Sequence, residues 1–242
     1  MLAAFGALAP VFILIGLGWL LRARGFPGGA LWPAAERLVY FVLFPALLFL
    51  TTAAADLGEL DLLPMAAALI VAIAAMAALT LGLRPLLRIG DAGFTSVCQG
   101  AIRCNTYVGL AAASALFGPT GLAVMGLVVF VVVTAVNLLS VVALIHYGRR
   151  AAGRRDVVAS IARNPLILAC VLGFGGNAAG IELPAVAYDT LDILARAALT
   201  LGLLCVGAGL ELAHLGRAGL AAAVTDALKL LVMPAATRAR LP

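Results

Sequence analysis

Long apolar runs alternate with short polar ones along the whole chain. Read as helices, the apolar runs make about eight spans, each long enough to cross a bilayer, which takes roughly 20 residues. They cover Phe5–Leu21, Leu38–Ala55, Leu62–Leu83, Thr95–Phe117, Gly121–His146, Asn164–Ile181, Thr190–Leu210 and Gly219–Ala236. The pattern predicts an all-α polytopic membrane protein. The longest polar stretch, Tyr147–Arg163, falls between the fifth and sixth spans and reads as a hinge.

A faint repeat runs through this pattern. Pro10–Gly18 (PVFILIGLG) and Pro165–Gly173 (PLILACVLG) both open on proline, carry leucine at the eighth position and close on glycine, 155 residues apart. Leu57 and Leu212 keep that offset, and Asp56 meets another acid, Glu211. Such self-similarity in an apolar chain points to a transporter built from two copies of one membrane unit.

Composition supports lipid as the solvent. Hydrophobic residues are 64% of the chain and charged residues 11%, against roughly 25% charged in soluble domains; the mean hydropathy is +1.16. The net charge of +5 reads as an orientation signal. Arg22, Arg24, Arg37, Arg84, Arg88, Arg149, Arg150, Arg154, Arg155, Arg163 and Arg217 all lie in odd-numbered loops, whereas the second loop holds Asp56, Glu59 and Asp61 without a base. Positive-inside logic puts the odd loops in the cytoplasm and the amino terminus outside. Nucleic acid is not an expected partner, because the arginines are scattered between apolar runs. Cys98, Cys104, Cys170 and Cys205 make no C-x-x-C pair and read as small hydrophobes, with no metal or cofactor implied.

The fourth span stands apart. Its sequence, TSVCQGAIRCNTYVGLAAASALF, holds Gln99, Arg103, Asn105, Thr106 and Ser114 among glycines 100 and 109. In hydrocarbon each backbone group needs a partner, so such interruptions survive inside protein or along a wet cavity. The reading is a helix that unwinds near Cys104–Gly109, freeing N–H groups that suit an anion, with Arg103 adding a full charge. The plainer reading has Arg103 reaching back to the headgroups and Asn105 and Thr106 tying helices together.

Charge recurs in two later spans. Asp226 and Lys229, the only lysine, are spaced i, i+3 in the eighth span and read either as a neutralised pair or as an ion or proton relay. Asp192 and Arg196, spaced i, i+4, read as helix support near the outer end of the seventh span. Asn137 and Ser140 face neighbours or the site, and Pro45 kinks the second span.

These residues carry a resemblance. Gln99 to Leu110, closed by Phe117-Gly118, is similar to the Q…R-x-N-T-x-x-G-L…Y/F-G segment of bacterial auxin efflux carrier family proteins. Arg163-Asn164-Pro165 resembles that family's R-N-P opening of the sixth helix, and Gly207–Leu210 and Ala227–Leu230 with Pro234 resemble its seventh and eighth helices. Cys104, Ala111 and Thr200 stand where many relatives have proline. The resemblance implies an inverted five-helix repeat carrier of the bile acid/sodium symporter-like kind, with about eight of ten helices present. It divides the chain into a first repeat (1–147), a basic hinge (148–163) and an incomplete second repeat (164–242). The offset places the partner of the fourth span at about 250–272, past Pro242, so a truncated, frame-shifted or partial member is expected.

The function implied is secondary transport of small organic anions by alternating access at the broken helix, in a bacterial inner membrane. The alternatives are a cation/proton exchanger of similar fold, with Asp226 titrating, or an inactive membrane remnant. The expected substrate-binding residues are Arg103, Asn105, Thr106, Gly109 and Gln99. Asp226 and Lys229 are expected to couple ions, and Asn137 and Pro45 to face the site. Partners are the anion and membrane lipids, with a homodimer as a further option. An enzyme is not expected, since His146 and His214 stand isolated near span ends.

Overall fold

The computed structural model describes residues 2–55, 62–87, 90–102, 104–147, 159, 162–210, 226, 229 and 230. Among them all regular structure is helical: α1 (Leu2–Ala23), α2 (Leu31–Leu38), a π-helical turn (Val39–Leu43), α3 (Phe44–Ala53), α4 (Leu62–Leu87), α5 (Asp91–Ile102), α6 (Thr106–Tyr147), α7 (Pro165–Ala178) and α8 (Ala185–Ala208). Five stretches are long and apolar enough to cross a membrane: Gly6–Ala23, Leu31–Ala53, Leu63–Pro85, Ala185–Ala208 and Val97–Val136, the last of which is not one continuous helix. Pro165–Ala178 is apolar but shorter. All but three residues of the eighth predicted span, and most of the hinge, lie outside the described residues.

Pro45 does not break its span. It sits in the first turn of α3, directly after the π turn, where the Phe44 N–H donates to the Val39 carbonyl five residues back. Proline removes one donor and crowds the preceding turn, and local widening of the winding absorbs both effects. The fourth and fifth spans separate at Gly118, whose φ of 62° and ψ of −144° are not helical. A Cβ on Gly121 would run into the Ala113 carbonyl. Residues eight apart in a continuous helix stand about 12 Å apart, so the chain doubles back there.

Two compact units divide the chain. The first comprises Met1–Leu60, Asn105–Val129 and Pro165–Glu211. Within it α8 packs on α1 and on α3, and α7 packs on α3. These contacts are built from small residues. A Cβ on Gly18 of α1 would strike the Leu204 carbonyl of α8, and one on Gly207 of α8 would strike the Ile15 carbonyl of α1. On the other side, a Cβ on Gly173 of α7 would meet Thr52 and the Phe49 carbonyl of α3. Close backbone approach of this kind is how helices associate when lipid removes the hydrophobic drive. Thr52 is wholly buried, and its hydroxyl donates to the Leu48 carbonyl at 2.7 Å.

Helix ends in this unit are closed by their neighbours. The Arg22 guanidinium donates to the Ala208 carbonyl at 2.7 Å, putting a cation on the negative end of α8. The Asn177 amide donates to the carbonyls of Ala53 and Ala55 at 2.5 and 2.9 Å. α1 and α7 finish alike. Gly25 and Gly180 have φ of 72° and 63°. The next N–H bonds back five residues, Phe26 to Leu21 and Ile181 to Gly176, the Schellman closure that glycine permits.

The second unit comprises Asp61–Cys104, Phe130–Asn164 and Leu212–Pro242. α4 packs on α5, with Ile73, Met76, Phe94, Cys98 and Ile102 buried. The Arg84 guanidinium lies 5.4 Å from the Phe94 ring centroid, an attraction between a cation and the electron-rich ring face.

Candidate functional site

The polar fourth span is interrupted at Cys104 and Asn105, while Thr106 to Gly109, expected to unwind with them, are helical. α5 ends at Ile102 and α6 begins at Thr106, with Cys104 and Asn105 non-helical. A break frees carbonyls at the end of one helix and N–H groups at the start of the next. Asn105 answers part of that demand. Its Oδ1 accepts from the N–H groups of Tyr107 at 3.1 Å and Val108 at 3.2 Å, which makes it the N-cap of α6. The Gly109 N–H then donates to the Asn105 carbonyl at 3.0 Å and starts the helical ladder.

The first turn of α6 is seated in the first unit. The Tyr107 ring meets Phe44 edge-on, with centroids 4.5 Å apart and planes at 62°. Gly202 of α8 leaves the room, since a Cβ there would come within 3.0 Å of Phe44 and 3.4 Å of Tyr107. Further along, Ala111 is buried with Val11 and Leu203, and Val108 packs on the same cluster. Gly109 faces the Met125 methyl, which a Cβ would approach at 2.9 Å. Asn105 itself stays exposed, and Thr106 is half-buried, so the capped helix start is held from behind while its polar end is left open.

The other expected site residues are spread. Gln99 is half-buried within α5, and Pro45 is half-buried at the start of α3. Arg103 lies outside the described residues, as does the side chain of Asn137, whose backbone is helical within α6. Asp226 is helical and exposed, and Lys229 lies half-buried in a π-type turn. Among the described residues no ion pair joins those two.

A cavity of about 740 Å³ opens in the first unit beside this helix. Leu47, Leu50 and Thr51 of α3, Ser114 of α6, the Pro119–Ala123 segment after the turn, and Tyr188, Asp192, Arg196 and Leu199 of α8 line it. A smaller cavity of about 330 Å³ shares Leu50, Ala54 and Tyr188 with it and adds Glu182. Both volumes fall in or near the range of small-molecule sites, about 300–1,000 Å³.

Arg196 stands elsewhere than its sequence pattern suggests. It is the twelfth residue of the 24 in α8, midway along the helix and not at its outer end. Its Nε and Nη2 both reach Asp192 Oδ2, at 2.9 and 2.7 Å. The guanidinium side chain remains 79% exposed. An arginine facing lipid near the middle of a span costs at least about 2.5 kcal/mol, and lining a cavity removes that cost. The i, i+4 spacing is visible in the sequence. The depth is not, because the start of α8 lies at Ala185, five residues before the predicted boundary. No protein-family model matches the chain, and comparison with curated proteins finds no match.

Proposed function

We propose that the chain is a secondary transporter of small organic anions, with the break before α6 as its substrate site. The observation that carries this reading is the N-cap at Asn105. It fixes a helix N-terminus inside an otherwise apolar span, where the positive end of the helix dipole favours negative charge; the cap takes the N–H groups of Tyr107 and Val108 and leaves that of Thr106. Broken helices of this kind serve as substrate sites in membrane carriers. Thr106 adds a hydroxyl at the start of that helix.

A two-copy architecture goes with this reading. The 155-residue offset that relates Pro10–Gly18 to Pro165–Gly173 also relates the helix ends Ala23 and Ala178, and Ala53 and Ala208. It relates the capping glycines Gly25 and Gly180. It relates the close approach of Gly18 on the Leu204 carbonyl to that of Gly173 on the Phe49 carbonyl. Each copy's first helix thus packs on the other copy's second helix.

The test is uptake of radiolabelled small carboxylates, malonate among them, into proteoliposomes holding the purified chain. Accumulation above protein-free vesicles is expected. Asn105→Ala lowers the rate at least tenfold, and Asn105→Ser, which keeps an N-cap, retains most of it. Uptake by Asn105→Ala equal to wild type removes the break from the mechanism, and absence of uptake for every acid tried removes the transport reading.

A further inference from the structure

We infer that the cavity between α3, the Ser114–Ala123 segment and α8 is a second anion-binding site, which takes an oxyanion head carried on an apolar body. The site is separate from the break at Asn105, and its test does not depend on transport.

Three features of the cavity argue for it. The first is a cation held in place. Asp192 takes the Nε and Nη2 edge of Arg196 through a single oxygen. That contact fixes the plane of the guanidinium and leaves the Nη1 edge for a ligand. An exposed pair of this sort adds little stability, so its effect here is orientation. The second is the wall chemistry. Four hydroxyl-bearing residues, Thr51, Ser114, Thr120 and Tyr188, line the same space as Arg196. The Thr51 hydroxyl spends its proton on the Leu47 and Leu48 carbonyls, at 3.0 and 3.1 Å, so the donors for an anionic head are Ser114, Thr120 and Tyr188. Leucines from α3, α8 and the intervening segment complete the wall, so the space suits a molecule with one charged end and a hydrocarbon remainder. The third is charge balance. Asp192 already neutralises Arg196, so every charge on the incoming head is left uncompensated and must be met by hydrogen bonds alone, which one charge needs less than two. This favours a singly charged head over a dianion.

The same head chemistry has two sources, a soluble monocarboxylate and the phosphate of an anionic lipid. The experiment uses the full chain in phosphatidylcholine nanodiscs and radiolabelled hexanoate as probe. Saturable hexanoate binding is expected, with competition by unlabelled hexanoate and none by hexylamine. Arg196→Gln weakens binding at least tenfold, and Arg196→Lys restores part of it because charge returns without the fork. Arg196 is exposed, so melting profiles of these variants stay near wild type. If hexanoate does not bind, retention of phosphatidylglycerol by wild type and not by Arg196→Gln, read by native mass spectrometry, assigns the lipid headgroup to the same site. Hexanoate binding that is unchanged in Arg196→Gln, equal competition by hexylamine, or failure of both probes overturns the proposal. Loss of hexanoate binding in Arg196→Gln with carboxylate uptake intact separates this site from the transport reading, which Asn105 variants test.

Discussion

Arg22 and Asn177 stand 155 residues apart and play equivalent parts. Each donates from its side chain to a carbonyl that ends a neighbouring helix, Ala208 and Ala53, which are themselves 155 residues apart. Different chemistry fills the equivalent positions, a guanidinium in one and an amide in the other. The last carbonyls of a helix have no donor of their own, and in an apolar surrounding an unmet carbonyl costs about 1–3 kcal/mol. Arg22→Ala and Asn177→Ala are each expected to lower stability by that amount. Thermal unfolding in detergent checks it, and the double variant shows the sum, because the two bonds close different helix pairs.

Gly16 and Gly18 are two residues apart on α1 and differ completely in surroundings. A Cβ on Gly16 meets nothing within 4 Å, while one on Gly18 runs into the Leu204 backbone. Gly18→Ala therefore pushes α1 off α8 and is expected to cost about 2 kcal/mol or more. Gly16→Ala changes stability by less than about 0.5 kcal/mol, or raises it through better helix propensity. Gly173→Ala, the positional equivalent of the Gly18 variant, behaves like it. Recovery of monodisperse protein on size exclusion after a heat step ranks the three.

Cys104 is exposed beside the helix break, whereas Cys98 and Cys170 are buried. Maleimides react with thiolate, which forms in water and not in hydrocarbon. A membrane-impermeant maleimide is expected to label Cys104 in the intact bilayer far faster than Cys98 or Cys170, which label only after denaturation. Peptide mass spectrometry resolves the sites. Failure of Cys104 to label from either face of the membrane means that the break meets no water, against the site reading.

Tyr107 holds the start of α6 through its ring. Tyr107→Phe keeps the edge-on contact with Phe44 and is expected to shift stability by less than about 1 kcal/mol. Tyr107→Ala removes a large ring and costs about 3–5 kcal/mol. Hydrogen exchange of the Tyr107–Gly109 amides is the sharper readout. It accelerates in Tyr107→Ala and, more locally, in Asn105→Ala, whose lost cap is worth about 0.5–2 kcal/mol.

Much of the local structure is legible in the sequence because each local feature carries its own cost in lipid. A span must be apolar and close its own hydrogen bonds, so the runs around Phe5–Leu21, Leu62–Leu83 and Thr190–Leu210 announce helices. The run from Gln99 to Gly109 announces an interruption by its amides, hydroxyls and glycines. Pro45 suggests a kink by its residue type, and the structure adds a π turn at Val39–Leu43 directly before it. Proline states that a donor is missing, but not how the preceding turn makes room.

The sequence by itself determined the helical, lipid-compatible character of the chain, an interruption near Cys104–Gly109, which the structure narrows to Cys104 and Asn105, and the 155-residue echo between Pro10–Gly18 and Pro165–Gly173. Only the tertiary structure decided that α1 closes against α8 and α7 against α3, that Gly18, Gly173 and Gly207 are the points of nearest approach, and that Arg196 looks into a cavity. The reason is physical. When solvent and core are equally apolar, hydropathy no longer marks the inner face of a helix, and partner choice passes to shape, to small residues and to the few polar groups that must find one another across the fold.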